Sequence, residues 1–256
     1  MRMHFLRHAT LLLTLNNLTI LVDPMLSPLG AMEPIANAGN QRRIPMVPLP
    51  LSAEELQRIC QNIDAVLVTH THRDHWDASA RELLPKDLPM LCQPEDQAAI
   101  EQAGFTEVIP VTRQLAWRNL QIERTGGQHG TGELGKKMGP VSGFVLQTAG
   151  EPGIYIAGDT IWCEEVEQAL TRLAPAVVVL NAGEATYATG GGPITMNADD
   201  VCQVCRSRPA ARVVAVHMET VNHCILTRAA LQERLKTERL QEQVSIPRDG
   251  EILVFA

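Results

Sequence analysis

Aromatic side chains are scarce, at 4% of 256 residues, so any core must be built mainly from aliphatic residues. Basic charge is not in excess either. With 22 Lys and Arg against 29 Asp and Glu the formal net charge is -7, which removes the electrostatic footprint expected of a protein that grips nucleic acid or an anionic membrane. No apolar run approaches the roughly 18 residues that a membrane helix requires. The one stretch resembling a signal core, Leu11 to Leu15, breaks at Asn16-Asn17 with no small-residue cleavage site behind it. Six cysteines, at 60, 92, 163, 202, 205 and 224, are too few and too scattered for a disulfide scaffold. These absences point to a cytoplasmic enzyme with reduced thiols and a small-molecule substrate, with neither nucleic acid nor membrane as partner.

What is present is 45% hydrophobic residues, enough for a large core. Residues 1–256 show no composition break, repeat or low-complexity tract, and read as a single domain. Ala9 to Leu15 and Leu18 to Val22 read as a β-hairpin around the Asn16-Asn17 turn. Six prolines at 24, 28, 34, 45, 48 and 50 then mark a long irregular segment. Ser52 to Glu55 is a capping box opening a helix to about Cys60, and Asp64 to Thr69 is a short apolar strand. Asp77 caps a helix to Leu84, Pro89 to Cys92 reads as a strand, and Glu95 to Ala103 as a helix closed by Gly104. Three β-prone stretches follow, Leu115 to Arg124, Val141 to Thr148 and Ile154 to Ile156, and imply a second sheet. Helices at Glu164 to Leu173, Ala198 to Arg206 and Thr227 to Glu242 alternate with strands at Ala176 to Leu180 and Arg212 to Val216. Cys202-x-x-Cys205 sits on the second of these helices without a second Cys pair, so it reads as helix packing rather than a zinc site.

The chemistry concentrates in His70-Thr71-His72-Arg73-Asp74-His75. His70 and His72 leave an extended chain on the same side and can share an ion. Asp74 and His75 follow where the chain must turn, and can face a second ion. A hydrolytic centre needs imidazoles and carboxylates, an open position for water, and often two ions about 3.5 to 4 Å apart. Three further candidates stand at strand-to-loop junctions: His129 in Gly126 to Gly130, Asp159 in Gly158-Asp159-Thr160, and His217 after Val213 to Val216. Taken alone, Asp159 would serve equally as a helix cap. Asp23 before Pro24 suits either ordinary turn chemistry or a hydrogen bond to a ligand imidazole. His4 and His8, lone histidines in or beside the first strand, read as packing or surface. Trp76 and Trp162 follow metal motifs and fit pocket walls or core.

The order His-x-His-x-Asp-His, a loop His, Gly-Asp-Thr and a His after a strand resembles the metallo-β-lactamase superfamily over nearly the whole chain. Asp23-Pro24 and the Glu-Thr turn after His217 look most like its ascorbate-phosphate lactonase-like and phosphodiesterase-like branch. The resemblance implies an α/β fold, a four-layer αββα sandwich of two mixed sheets flanked by helices, with the metal centre at one sheet edge. It implies that His70, His72 and His129 bind one divalent ion, that Asp74, His75 and His217 bind another, and that Asp159 bridges them. Zinc is the first expectation, with manganese and iron compatible. It also implies a metal-dependent hydrolase in which the ions activate a water, oriented by Asp74 as the catalytic carboxylate, against an ester, lactone, amide or phosphoester.

Two alternatives use the same ligands: an iron-dependent oxygenase, since imidazole and carboxylate suit iron, and a metal-stabilised binding protein without turnover. A barrel amidohydrolase also carries His-x-His but needs about eight regular strand–helix units, which the hairpin opening opposes. Substrate contacts are expected from His223, six residues past His217, and from Lys136 and Lys137. Gly130 to Pro140 is glycine-rich and is expected to be a flexible loop whose lysines attract an anionic substrate.

Overall fold

The structure is a computed structural model that describes residues 1–256. Two seven-stranded sheets face one another. The first contains β1 (Arg2–Arg7), β2 (Thr10–Leu15), β3 (Leu18–Val22), β4 (Ala65–Val68), β5 (Met90–Cys92), β6 (Val108–Pro110) and β14 (Ile252–Val254), in the order β14-β1-β2-β3-β4-β5-β6. The second contains β7 (Gln114–Trp117), β8 (Leu120–Thr125), β9 (Gly143–Gln147), β10 (Ile154–Ile156), β11 (Val177–Asn181), β12 (Arg212–Val216) and β13 (Val244–Ser245), in the order β13-β12-β11-β10-β9-β8-β7.

Alternation of side chains explains the layering. Ala65 and Leu67 of β4, with Val177 and Val179 of β11, point into the core shared by the two sheets. Their neighbours Val66 and Val68 pack outward under α1 (Ala53–Asn62), α2 (Ala78–Leu83) and α3 (Gln97–Gln102). Val178 and Leu180 pack outward under α5 (Glu164–Leu173), α6 (Ala198–Ser207) and α7 (Arg228–Glu238). Central strands covered on both faces must be apolar at every position, which is why they read as unbroken aliphatic runs. The arrangement is the αββα sandwich anticipated. Cys202 and Cys205 are buried in the packing of α6, and no helix is long and apolar enough to cross a membrane.

Local rules set several boundaries. Ser52 with Glu55 and Asn197 with Asp200 form capping boxes, and Asp77 accepts from the Ala80 N–H to start α2. The expected single stretch from Leu115 to Arg124 is instead a hairpin, β7 and β8, turning at Arg118 with φ 51°. The final helix stops earlier than expected, at Glu238, because Arg239 adopts a left-handed conformation. The expected flexible loop from Gly130 to Pro140 is also corrected: residues Gly132–Met138 form the helix α4. Gly135 fits this turn closely, since a Cβ there would stand 2.6 Å from the Gly130 carbonyl oxygen.

The pairing pattern sends β1, β3, β4, β8, β10, β11 and β12 toward one edge. Each strand leaves its polar residues there, where backbone groups are freed from the ladder. The segment between β3 and α1 lies beside this edge. It is pinned by the buried Arg7 guanidinium, which donates to the carbonyls of Met25 (2.7 Å), Ser27 (2.9 Å) and Val47 (2.9 Å).

Candidate metal centre

Every expected metal residue reaches this edge. His70, His72, Asp74 and His75 follow β4, His129 follows β8, Asp159 follows β10 and His217 follows β12. Their polar atoms form two adjoining groups. In the first, His72 Nδ1 lies 3.0 Å from His70 Nε2 and 3.3 Å from His129 Nε2. In the second, His75 Nε2 lies 3.2 Å from His217 Nε2, and each is 3.9 Å from Asp74 Oδ2. The Asp159 carboxylate stands between them. Its Oδ2 is 3.3 Å from His75 Nε2, 3.6 Å from His129 Nε2 and 3.9 Å from His70 Nε2, and its Oδ1 is 3.3 Å from His217 Nε2.

Donor accounting tests whether these groups suit cations. Thr69 gives its hydroxyl hydrogen to Asp23 Oδ2 (2.7 Å), so Thr69 Oγ1 itself accepts from His70 Nδ1 (3.1 Å). His75 Nδ1 donates to Asp23 Oδ2 (2.9 Å), and His129 Nδ1 donates to the Ile194 carbonyl (2.8 Å). A neutral imidazole carries one N–H. With that hydrogen committed outward on each ring in its neutral form, the inward Nε2 atoms of His70 and His129 are lone pairs, and that of His75 becomes one when its second proton gives way to a cation. Such a set suits divalent cations, and the partners on the far nitrogens are of the kind that orient metal-bound histidine.

The electrostatics agree. Burial holds His70, His129 and His217 below the usual imidazole range, keeping them neutral as ligation requires. Burial opposes charge on Asp74 and Asp159 as well, but neighbouring imidazoles outweigh it: His8 and His75 hold Asp74, and His217 and His75 hold Asp159, well below the ordinary carboxylate range. His75 is the exception among the rings. Burial lowers it, yet Asp159 and Asp23 together raise it well above the imidazole range. Asp23 thus does more than shape the turn at Pro24.

A cavity of about 220 Å³ opens at the two groups, lined by His72, Asp74, His129 and Asp159 and also by Ile35, Arg73, Met138, Tyr187 and His223. His223 lines this space. Lys136 and Lys137 do not line it: both are exposed on α4, and Lys136 pairs with Glu133 at 2.7 Å. The cation at the cavity is Arg73, whose Nη2 donates to the carbonyls of Glu33 and Pro34 at 2.8 and 3.0 Å. Trp76 packs with Phe105 in the core and Trp162 against α5 and α6, so neither is a pocket wall.

Several participants were not readable as such. Ile35 comes from the proline-rich segment and is tied down by Asn222, which accepts from its N–H (2.8 Å) and donates to its carbonyl (3.1 Å). Asn181, closing β11, donates to Asp159 Oδ1 at 2.7 Å. His8, read as a packing residue, is fully buried against the second group, with Nε2 3.2 Å from Asp74 Oδ2.

Comparison with known proteins follows the same lines. A model described as "Beta-lactamase superfamily domain" matches residues 19–218. The UPF0173 protein YddR of Bacillus subtilis is 34% identical over 253 residues, 98% of either chain. Among solved structures, an isothiocyanate hydrolase from Delia radicum gut bacteria is 38% identical with a TM-score of 0.93, covering 100% of this chain and 99% of its own. A possible metal-dependent hydrolase from Veillonella parvula is 35% identical with a TM-score of 0.95, over 99% of both chains. The family match across most of the chain, the sandwich and the clustered histidines and aspartates lead to one conclusion: this chain belongs to the metallo-β-lactamase superfamily.

Proposed function

We propose that this metal-dependent hydrolase works through a dinuclear centre, with His70, His72 and His129 holding one ion, Asp74, His75 and His217 the other, and Asp159 shared between them. The observation that carries the reading is the Asp159 carboxylate, within 3.3 to 3.6 Å of imidazole nitrogens from both groups. Zinc suits a set rich in imidazole with carboxylate. When bound, the ions supply acidity to a water and polarise the bond under attack. Asp74, whose side chain lines the cavity, orients that water by accepting its hydrogen. His223, which also lines the cavity, is the group to donate to substrate or leaving group.

The substrate class we favour is a small molecule with an electrophilic carbon bonded to nitrogen, oxygen or sulfur. A cavity of about 220 Å³ with Ile35, Met138 and Tyr187 on its walls suits a compact, partly apolar molecule. The isothiocyanate hydrolase that is 38% identical over the full chain makes isothiocyanates the first compounds to test. Zinc-reconstituted protein should be assayed in parallel against isothiocyanates, lactones, thioesters, phosphodiesters and β-lactams. Metal-dependent turnover of a carbon electrophile is the expected result. Turnover confined to phosphodiesters would overturn the substrate class, and oxygen consumption by iron-loaded protein without any hydrolysis would overturn the reaction type.

A further inference from the structure

His8 occupies the turn between β1 and β2 in a left-handed conformation, φ 59°. That conformation is uncommon outside glycine, and here it aims both backbone and side chain at the second metal group. The His8 carbonyl accepts from the His217 N–H at 2.9 Å. Its ring lies 3.6 Å, centroid to centroid, from that of His217. Its Nε2 is 3.2 Å from Asp74 Oδ2, the oxygen that stands 3.9 Å from Nε2 of both His75 and His217.

Proximity alone would allow His8 to be a further ligand, since its nitrogen groups with those of Asp74, His75 and His217. The hydrogen count decides otherwise. His70, His75 and His129 each place Nδ1–H on an oxygen acceptor, leaving Nε2 bare for an ion. His8 Nδ1 is buried and has no partner. Were Nε2 bare, the ring hydrogen would sit on that Nδ1 as an orphaned buried donor, a rarity in folded proteins. Placed on Nε2, the hydrogen meets a carboxylate and leaves at Nδ1 only an unused lone pair.

We infer that His8 is a positioning residue for the metal centre: it donates its Nε2–H to Asp74 Oδ2 and holds that carboxylate against the second ion, without binding the ion itself. A carboxylate oxygen has two lone-pair directions, so one can take the His8 hydrogen while the other faces the cation. The inference rests on Asp74 being a ligand, as proposed above, and its test separates the two ideas.

Two substitutions place structural and positioning roles in opposition. His8→Asn suits the left-handed turn, because asparagine tolerates positive φ, but its shorter amide cannot reach Asp74. His8→Gln fits the turn less well, yet its amide nitrogen extends to about where Nε2 stands. Zinc affinity of the purified chain, measured by competition with a chromophoric chelator, should fall roughly 10- to 100-fold at the subsite containing Asp74 in His8→Asn, the range for losing such an outer hydrogen bond. His8→Gln should recover most of it, despite a melting temperature for the metal-free protein no higher than that of His8→Asn. The visible spectrum of the cobalt-substituted His8→Gln protein should match that of the parent, because no ligand is exchanged.

Asp74→Asn is the control. If it leaves zinc affinity unchanged, the ligand assignment fails and the inference with it. If Asp74→Asn weakens binding while His8→Asn does not, the assignment stands and the role of His8 is overturned. If His8→Gln binds as weakly as His8→Asn and alters the cobalt spectrum, His8 is a ligand and the inference is likewise overturned.

Discussion

Replacing Asp23 by asparagine changes one heavy atom and should weaken the second of the two proposed metal subsites without removing any of its proposed ligands. Three donors converge on the Asp23 carboxylate: the Thr69 N–H at Oδ1 (2.7 Å), and the Thr69 hydroxyl (2.7 Å) and His75 Nδ1 (2.9 Å) at Oδ2. An amide offers one oxygen where the carboxylate offers two. Turned so that its oxygen meets His75, the amide sets its NH2 against the Thr69 backbone N–H, a donor that cannot change. The opposite orientation is therefore preferred, and it sets NH2 against His75 Nδ1. His75 can relieve that clash by moving its hydrogen to Nε2, which then points into the site where a lone pair is required.

Losing a buried hydrogen bond to a charged group costs roughly 1.5–3 kcal/mol, so the metal-free variant should remain folded with reduced resistance to denaturant. Metal affinity at the subsite containing His75 should drop about 10- to 100-fold. Urea unfolding of metal-free protein and chelator competition with zinc measure the two effects separately. Wild-type affinity at both subsites in Asp23→Asn, together with the expected loss of stability, would refute the tautomer argument.

Other consequences concern charge. The double change Lys136→Ala and Lys137→Ala should leave KM unaltered even for an anionic substrate, because both lysines are exposed and off the cavity. Arg73→Ala should raise KM for that substrate at low salt, where steering is strongest, and steady-state kinetics on both variants decides between them. In metal-free protein His75 is raised, so its contribution to stability is complete below its unfolded value near 6.5 and is lost as pH rises through the higher folded value. Asp74 and Asp159 are depressed, so theirs is present above the unfolded value of about 4 and is lost as pH falls through the lower folded values. His70, His129 and His217 are also depressed, so their contribution is lost as pH falls below about 6.5, and the melting temperature of the metal-free protein should accordingly peak at about pH 6.5. The part of its decline between about 6.5 and 8 should vanish in His75→Asn, leaving only the loss at higher pH from the raised buried thiols.

The parts of this fold legible in the sequence are those governed by local rules. The capping box at Ser52 and the aliphatic runs of β4, β11 and β12 declare themselves because each rests on a few neighbouring side chains. The clustering of histidines after β4 was legible for the same reason. What failed depended on contacts distant in sequence. Glycines at 132, 135 and 139 argue for a loop by propensity, but Gly135 instead allows α4 to approach the Gly130 backbone. His8 looked like a packing residue because nothing near it indicates that the end of β1 will meet Asp74, which lies 66 residues further along the chain. Tyr187 and Ile35 belong to irregular segments with no periodicity to place them.

The central claim is that two ions share the edge of the sandwich, and counting metal per chain tests it most directly. Protein equilibrated with zinc and freed of loosely bound ions should contain about two per chain by elemental mass spectrometry. His217→Ala should keep about one, since it removes a ligand from one group only, whereas His223→Ala should keep both, since His223 lines the cavity but belongs to neither group. A wild-type protein that saturates at one ion, or a His217→Ala variant that retains both, would contradict the assignment.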